Sequence, residues 1–162
     1  MRRVPPTIMV NSVLDLDVSY AARRPWVPSP QAFRVWAMAA LVGTAQKVPV
    51  DLSIRVVGAR RSCRLNLQYR RKDRPTNILS FAGVGVLPNG RCSLGELVIC
   101  APVVDREAKA AGRAARAHWA HMTVHGVLHL RGFDHEKALE ARKMAKLEVQ
   151  ILDRLEFSDP YV

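Results

Sequence analysis

The sequence lacks the features of membrane and disulfide-rich proteins. It has no uninterrupted run of roughly eighteen apolar residues, so no membrane span is expected. Its three cysteines are odd in number and irregularly spaced, which indicates half-buried thiols in a reducing compartment. The first residues are basic but have no apolar segment long enough for a signal peptide, so we expect a cytoplasmic protein.

Acidic residues are scarce. The chain has 14 of them against 25 lysines and arginines, which gives a net charge of +11. A charge of this size favours an anionic partner, with nucleic acid first and an anionic membrane surface second. Seven cations lie in one short basic segment, residues 60–74, which we expect to contact phosphates with salt-sensitive affinity: Arg60, Arg61, Arg64, Arg70, Arg71, Lys72 and Arg74.

Histidine is absent from most of the chain, because all five residues fall in HWAHMTVHGVLHLRGFDH, residues 118–135. His125 and His129 are four residues apart and so share one face of a helix. Gly132 can end that helix through a left-handed conformation and bring His135 back toward the other two. The spacing predicts a site for zinc or a similar metal with three histidine ligands.

No cysteine lies near these histidines to complete a four-ligand structural site, and three ligands leave one position open, as in catalytic zinc sites. The ligand and glycine spacing is that of the metzincin peptidase motif. However, Gly126 stands where those peptidases have their general-base glutamate. The pattern therefore indicates a metal hydrolase and argues against a peptidase.

Hydrophobic periodicity and turn residues predict a single α+β domain over residues 1–162, with a small mixed sheet largely covered by helices. We expect the metal site where the helix of His125 and His129 ends. Strands are predicted at residues 7–15, 48–57, 76–81 and 93–100, the last two antiparallel. Helices are predicted at residues 29–44, 59–69, 102–111, 113–131 and 136–157.

Three stretches together resemble the YbeY family of bacterial endoribonucleases. They are HGVLHLRGFDH at residues 125–135, LNLQYRRKDRPTNILSF at 65–81 and LGELVIC at 94–100. The first is similar to a family signature of eleven positions and is highly specific. Asn77 and Glu96 depart from the pattern, since many members have aspartate there, but neither matches a metal ligand.

The resemblance implies a zinc-dependent endoribonuclease specific for single-stranded RNA. It would act at the 3′ end of small-subunit rRNA and in ribosome quality control, with rRNA and the small ribosomal subunit as partners. His125, His129 and His135 would bind one zinc ion per chain. Arg70 would stabilise charge on the scissile phosphate.

Some roles stay open from the sequence. Asp134 either orients a ligand imidazole or braces the turn after Gly132. We interpret His118 and His121 as packing or surface residues, although His121 lies one turn before His125 and would also fit the cleft. The RNA track is expected along the remaining cations of the basic segment: Arg60, Arg61, Arg64, Arg71, Lys72 and Arg74.

Two other functions are compatible with these patterns. A metallopeptidase is favoured by the ligand spacing and disfavoured by Gly126. A non-catalytic rRNA-binding assembly factor, in which zinc only holds the fold, is equally consistent with the charge. Cleavage assays on casein and on single-stranded RNA distinguish the peptidase from the nuclease. A folded histidine variant that binds RNA and matures rRNA normally would indicate the assembly factor.

Overall fold

A four-stranded mixed sheet forms the centre of the molecule. The computed structural model describes residues 13–133 and 136–162. The strands are β1 (Leu14–Tyr20), β2 (Val50–Val57), β3 (Ile78–Val86) and β4 (Cys92–Cys100). Their order is β1-β2-β4-β3, with β1, β2 and β4 parallel and β3 antiparallel to β4. The predicted antiparallel pair and the mixed sheet are confirmed.

Five helices surround this sheet in the described part of the chain. They are α1 (Pro30–Gly43), α2 (Ala59–Arg70), α3 (Ala101–Ala110), α4 (Ala115–Leu130) and α5 (Ala138–Arg154). Each matches a helix predicted from the sequence to within about two or three residues at either end. Within the described residues, no helix is long and apolar enough to cross a membrane.

Local sequence determines where helix α1 begins and which face is buried. The Ser29 hydroxyl accepts a hydrogen bond from the Ala32 N–H at 3.2 Å, and Pro30 occupies the first turn, where its missing N–H costs nothing. Phe33 and Trp36 lie on the buried face. Truncation of either ring to alanine would cost about 3–5 kcal/mol of stability.

Two apolar clusters lie on opposite faces of the sheet. The larger cluster joins one sheet face to α1, α4 and α5, and the rings of Trp36 and Trp119 both pack edge-on against Phe33. The smaller cluster includes Leu79 and Val98, next to Leu65 of α2. Consecutive residues of β3 and β4 therefore face different layers, as strand geometry requires. The α+β class and the cover of helices are thus confirmed.

Two strand predictions had the wrong bounds. The strand predicted at residues 7–15 is observed as β1 from Leu14 to Tyr20, and residues 1–12 lie outside the described chain. The strand predicted at residues 76–81 begins at Ile78 and continues to Val86. Its second half was missed because it carries Gly83 and Gly85 and is largely exposed, so the alternation that marks a half-buried strand is absent there.

Candidate active site

Helix α4 presents a row of four imidazoles on one face. His118, His121, His125 and His129 follow one another at spacings of three, four and four residues, which places them one turn apart along the helix. The centroids of neighbouring rings are 6.1, 6.3 and 5.4 Å apart in that order. The sequence prediction that His125 and His129 share a face is confirmed, and the row extends two turns further toward the start of α4.

The α4 helix lies against the sheet because residue 126 has no side chain. A Cβ atom at Gly126 would lie 2.7 Å from Ile78 Cδ1 and 2.7 Å from Leu97 Cδ2, closer than atoms can pack. The position faces β3 and β4, so a glutamate there, as in the metzincin motif, would enter the core and could not reach the histidine face.

Helix α4 ends as predicted. Gly132 adopts φ +94°, in the left-handed region that favours glycine. Its N–H donates to the His129 carbonyl at 3.0 Å, and the Phe133 N–H donates to the Leu128 carbonyl at 3.1 Å. These bonds satisfy carbonyls of the last turn. Asp134 and His135, the next two residues, lie outside the described chain, so their predicted roles stay predictions.

A buried carboxylate from α5 stands behind the histidine row. The Glu148 side chain is 1% exposed, with Oε2 at 2.9 Å from His121 Nε2 and Oε1 at 2.5 Å from His125 Nδ1. Burial alone would raise the pKa of this carboxyl, but the hydrogen bonds from His121 and His125 outweigh burial and lower the pKa to about 2. Glu148 is therefore ionised near neutral pH.

The ionised Glu148 determines which nitrogen of His125 carries the proton. A carboxylate only accepts hydrogen bonds, so His125 must donate to it from Nδ1. In the neutral imidazole, Nε2 is then the nitrogen with a lone pair, which is the form that binds a metal. The sequence motifs do not identify Glu148, although a charged residue between Met144 and Ile151 on the apolar stripe of α5 indicates a buried partner.

Three side chains of this cluster could hold a metal ion. One ligand atom from each of His121, His125 and Glu148 lies within 4.8 Å of the others. Around a tetrahedral zinc with bonds of about 2.0–2.1 Å, however, ligand atoms stand roughly 3.3 Å apart. The separations of 2.5 and 2.9 Å between these nitrogens and oxygens are those of hydrogen bonds. The cluster as folded therefore matches a carboxylate that orients imidazoles.

An open cleft with a volume of about 620 Å³ lies in front of the histidine row. Two of the predicted zinc ligands and the predicted catalytic arginine line it together, although they belong to two different sequence motifs. The full lining consists of Arg70, Lys72, Asn77, Ile78, Ser80, His125, His129 and Glu136. Cations and imidazoles thus meet in one solvent-accessible space.

The loop that carries Lys72 is fixed to α2. Arg71 caps the C-terminal end of α2 with φ +57°, in the left-handed region. The buried Asn66 amide donates to the Arg74 carbonyl at 2.8 Å, and the buried Ser62 hydroxyl accepts from the Thr76 N–H at 2.9 Å. These bonds hold a strongly basic loop in one conformation beside the cleft, which reduces the entropy lost when the loop binds an anion.

Asn77 is held at the rim of the cleft by a second carboxylate. Its amide donates to Glu107 Oε1 at 3.1 Å, and the same oxygen lies 3.0 Å from His118 Nε2. The hydrogen bond with His118 is the largest of the effects that lower the pKa of the Glu107 carboxyl. The interpretation of His118 and His121 as packing or surface residues was incomplete, since each forms a hydrogen bond with a glutamate. His121 does not line the cleft.

The six cations predicted to bind RNA are all exposed. Lys72 lines the cleft itself. Three others lie along α2, whose last residue is Arg70. Arg60 and Arg70 are about 15 Å apart along the helix axis. The structure therefore places a charged helix next to the cleft, and the nucleic-acid role of these side chains stays a prediction: Arg60, Arg61, Arg64, Arg71, Lys72 and Arg74.

The fold and the cleft together define an α+β protein with a basic, histidine-lined site. The model of the family described as Endoribonuclease YbeY matches residues 29–156, and the chain belongs to this family. The sequence resemblance is thereby confirmed.

Relatives named Endoribonuclease YbeY align with nearly the whole chain. The protein from Stenotrophomonas maltophilia is 52% identical over 152 residues, which cover 91% of this chain and 93% of that one. The protein from Alkalilimnicola ehrlichii is 50% identical over 161 residues, or 96% of each chain. That from Xanthomonas axonopodis pv. citri is 49% identical over 154 residues, or 91% and 93%.

A solved structure has the same fold. The solution structure of TM1509 from Thermotoga maritima superposes with a TM-score of 0.56 at 20% sequence identity. The match covers 90% of this chain and 98% of that one. At this identity the likeness bears on the architecture alone.

Proposed function

We propose that this chain is a metal-dependent endoribonuclease that cuts single-stranded RNA in the cleft between α4 and the end of α2. The observation that carries the proposal is the convergence of Arg70 and Lys72 with His125 and His129 around one open space. Family membership and the names of the relatives support RNA as the substrate. The net charge of +11 supports an anionic polymer.

The donor set fits zinc. His125 is fixed by Glu148 so that its second nitrogen has the lone pair, and carboxylate–histidine pairs of this kind are typical of zinc sites. His129 lines the cleft one helical turn away. We propose His125, His129 and His135 as the ligands of one zinc ion per chain. When bound, zinc would supply Lewis-acid polarisation of a phosphoryl oxygen and a lowered pKa for water.

The protein side chains would hold the scissile phosphate and stabilise its charge. Arg70 offers a planar fork of N–H donors that matches two phosphate oxygens. A phosphate under attack gains negative charge, so a cation at this place stabilises the transition state more than the bound substrate. Lys72 adds a second positive charge on the same side. Asn77 and Ser80 provide hydrogen-bonding groups for the sugar or phosphate.

Selection of single strands would follow from the α2 surface and the cleft. Three exposed cations lead along the helix toward Arg70, and an unpaired strand can bend to follow such a path. We propose further that the substrate is rRNA, with cleavage at the 3′ end of the small-subunit rRNA, and that the protein acts in ribosome quality control in the cytoplasm. The relatives named Endoribonuclease YbeY support an RNA substrate, and the choice of rRNA rests on the resemblance of the sequence motifs to the family.

The test is a cleavage assay with four arms. The purified protein is incubated with labelled single-stranded RNA, with the same RNA annealed to its complement, with the RNA plus a chelator, and with the chelated protein after addition of Zn²⁺. We expect cleavage of the single strand only, lost with the chelator and restored by zinc. Binding without cleavage in every arm would instead indicate the assembly factor, and degradation of casein in parallel would indicate the peptidase.

The products and substrate preference refine the proposal. Attack by the neighbouring 2′-hydroxyl leaves a 2′,3′-cyclic phosphate, whereas attack by water does not, so mass spectrometry of the fragments distinguishes the two routes. Fragments that span the 3′ end of precursor small-subunit rRNA should be cut at one position and faster than unrelated RNA. Equal cutting of both at scattered positions would contradict the rRNA assignment.

A further inference from the structure

Residues 158–162, which we name the tyrosine segment, lie back against the start of α4. Arg113 Nη2 donates to the carbonyl of Asp159 at 3.0 Å and to that of Val162 at 3.3 Å. Within the segment, the Tyr161 N–H donates to Asp159 Oδ1 at 2.8 Å. These bonds fix the backbone on either side of Tyr161 and direct its side chain toward Glu148.

The Tyr161 side chain contacts His121 and Glu148 behind the histidine row. Its hydroxyl donates to Glu148 Oε2, the oxygen that also faces His121 Nε2. The Tyr161 ring packs edge-on against the ring of His121, with centroids 5.6 Å apart. Glu148 thus has three hydrogen-bond partners. His121 and Tyr161 contact Oε2, and His125 contacts Oε1.

The hydroxyl matters because a carboxylate on a flexible side chain does not orient itself. The last torsion of glutamate has a broad energy profile, so the plane of the Glu148 carboxylate is set by its hydrogen-bond partners. Bulk solvent has little access to a side chain that is 1% exposed. Without Tyr161, Oε2 would keep the hydrogen bond with His121, and the carboxylate plane would be less restricted.

We infer that Tyr161 is a positioning residue for the cleft: its hydroxyl orients the Glu148 carboxylate, which in turn sets the tautomer and ring orientation of His125. The inference rests on the proposed function in one respect, that His125 is a metal ligand. Partners of ligating histidines typically contribute 10- to 100-fold to metal affinity. Tyr161 acts one contact further away, so its contribution should lie near the lower end of that range.

The first experiment compares Tyr161→Phe with the wild type. Zinc affinity is measured by competition with a chromophoric chelator, and the tautomer of His125 by long-range ¹H–¹⁵N NMR. We expect the zinc Kd to rise about 10-fold and the His125 signals to shift from the Nδ1–H form toward a mixture. Tyr20→Phe is the matched control, since it removes a hydroxyl that donates to the Pro28 carbonyl at 2.6 Å, and it should keep the wild-type values.

A double variant tests whether Tyr161 acts through Glu148. Glu148→Gln should weaken zinc binding more than Tyr161→Phe does. The double variant should bind zinc no more weakly than Glu148→Gln alone. Additive losses would overturn the inference, as would a Tyr161→Phe protein with a lower melting temperature but unchanged zinc Kd and His125 tautomer. The NMR readout needs no metal, so a wild type that bound no zinc would refute the proposed function and still decide the role of Tyr161.

Discussion

Nδ1 of His125 and Oε1 of Glu148 lie 2.5 Å apart, although the two residues belong to different helices. Through this contact α5 orients a histidine of α4, although α5 contributes no residue to the lining of the cleft. The carboxylate is buried and its pKa is lowered to about 2, so the hydrogen bond is present across the range in which the protein would work. The orientation of the candidate ligand His125 therefore depends on residues well outside the sequence motif.

Replacement of Gly126 by glutamate, which would complete the peptidase motif, should destabilise the protein rather than create a peptidase. The new side chain would enter the contact between α4 and the sheet, where a Cβ alone lies 2.7 Å from Ile78 and Leu97. Overpacking costs about 1–3 kcal/mol, and burial of a carboxylate without a partner adds to this. Urea denaturation measures the loss.

Gly126→Ala is the matched control for that variant. The contacting atoms are the ends of the Ile78 and Leu97 side chains, which can shift, and alanine favours a helix by up to about 1 kcal/mol over glycine. We expect a small change in the free energy of unfolding for alanine and a loss of several kcal/mol for glutamate. A Gly126→Glu protein as stable as the wild type would contradict the observed packing of α4.

Three of the four exposed arginines of α2, those that do not line the cleft, should account for part of the salt dependence of RNA binding. For single-stranded nucleic acid, log affinity falls with log salt by about 0.7 per phosphate neutralised. Replacement of three contacting arginines should therefore flatten the slope by up to about 2. Anisotropy with labelled RNA, with chelator present to prevent cleavage, measures the slope for the triple alanine variant of Arg60, Arg61 and Arg64.

A second triple variant controls for net charge. It removes three exposed cations from α5, on a surface that carries no predicted RNA contact: Arg142, Lys143 and Lys146. If only the overall charge of the protein matters, both triple variants will flatten the slope equally. We expect the α2 variant to change it substantially more, and equal slopes would move the RNA track away from the basic segment.

Glu107 should make part of the stability depend on pH. Its folded pKa is lowered from the ordinary value of 4.5, with the hydrogen bond to His118 as the main cause. The stabilising contribution is therefore present above the unfolded pKa and is lost as pH falls through the lowered folded pKa. The difference in free energy of unfolding between wild type and Glu107→Gln should shrink as pH falls below about 4.5. A difference that stays constant into acid would show that the ionised form is not favoured by folding.

Arg70 should act in the chemical step more than in binding. Arg70→Ala should slow cleavage by on the order of 10²-fold, by analogy with the loss of other transition-state donors. Zinc content should stay at the wild-type level, because the guanidinium is not a ligand. The measurement is single-turnover cleavage with enzyme in excess and RNA saturated.

Arg71→Ala is the neighbouring control for Arg70. Arg71 is exposed but does not line the cleft, so its loss should weaken binding and leave the single-turnover rate near that of the wild type. If Arg70→Ala also cleaves at the wild-type rate once RNA is saturated, Arg70 is a binding residue and the proposed electrostatic role is wrong.

Sequence patterns predicted those parts of the fold and site that depend on local spacing. The shared face of His125 and His129 follows from the helical repeat, and the helix end at Gly132 from the conformational freedom of glycine. Helix α1 likewise follows from a capping serine and a first-turn proline. In each case the residues that decide the structure lie within one or two turns of each other.

The parts that escaped prediction depend on contacts between distant residues. Glu148 lies 23 positions from His125, and Tyr161 lies 13 from Glu148. A charged residue on an otherwise apolar stripe indicates a buried partner but does not identify it. Likewise, the pairing of Asn77 with Glu107 requires α3 and the start of β3 to be adjacent, which only the assembled sheet provides.

The histidines of α4 are proposed to bind the metal required for RNA cleavage, and the zinc content and cleavage rate of His129→Ala test this role most directly. His118→Gln serves as the control, since His118 forms a hydrogen bond with Glu107 and does not line the cleft. Zinc per chain is measured by elemental analysis alongside cleavage of single-stranded RNA by the same preparations. We predict about one zinc per chain in the wild type and in His118→Gln, and loss of both zinc and cleavage in His129→Ala. A folded His129→Ala protein with full zinc content or wild-type cleavage would contradict the claim.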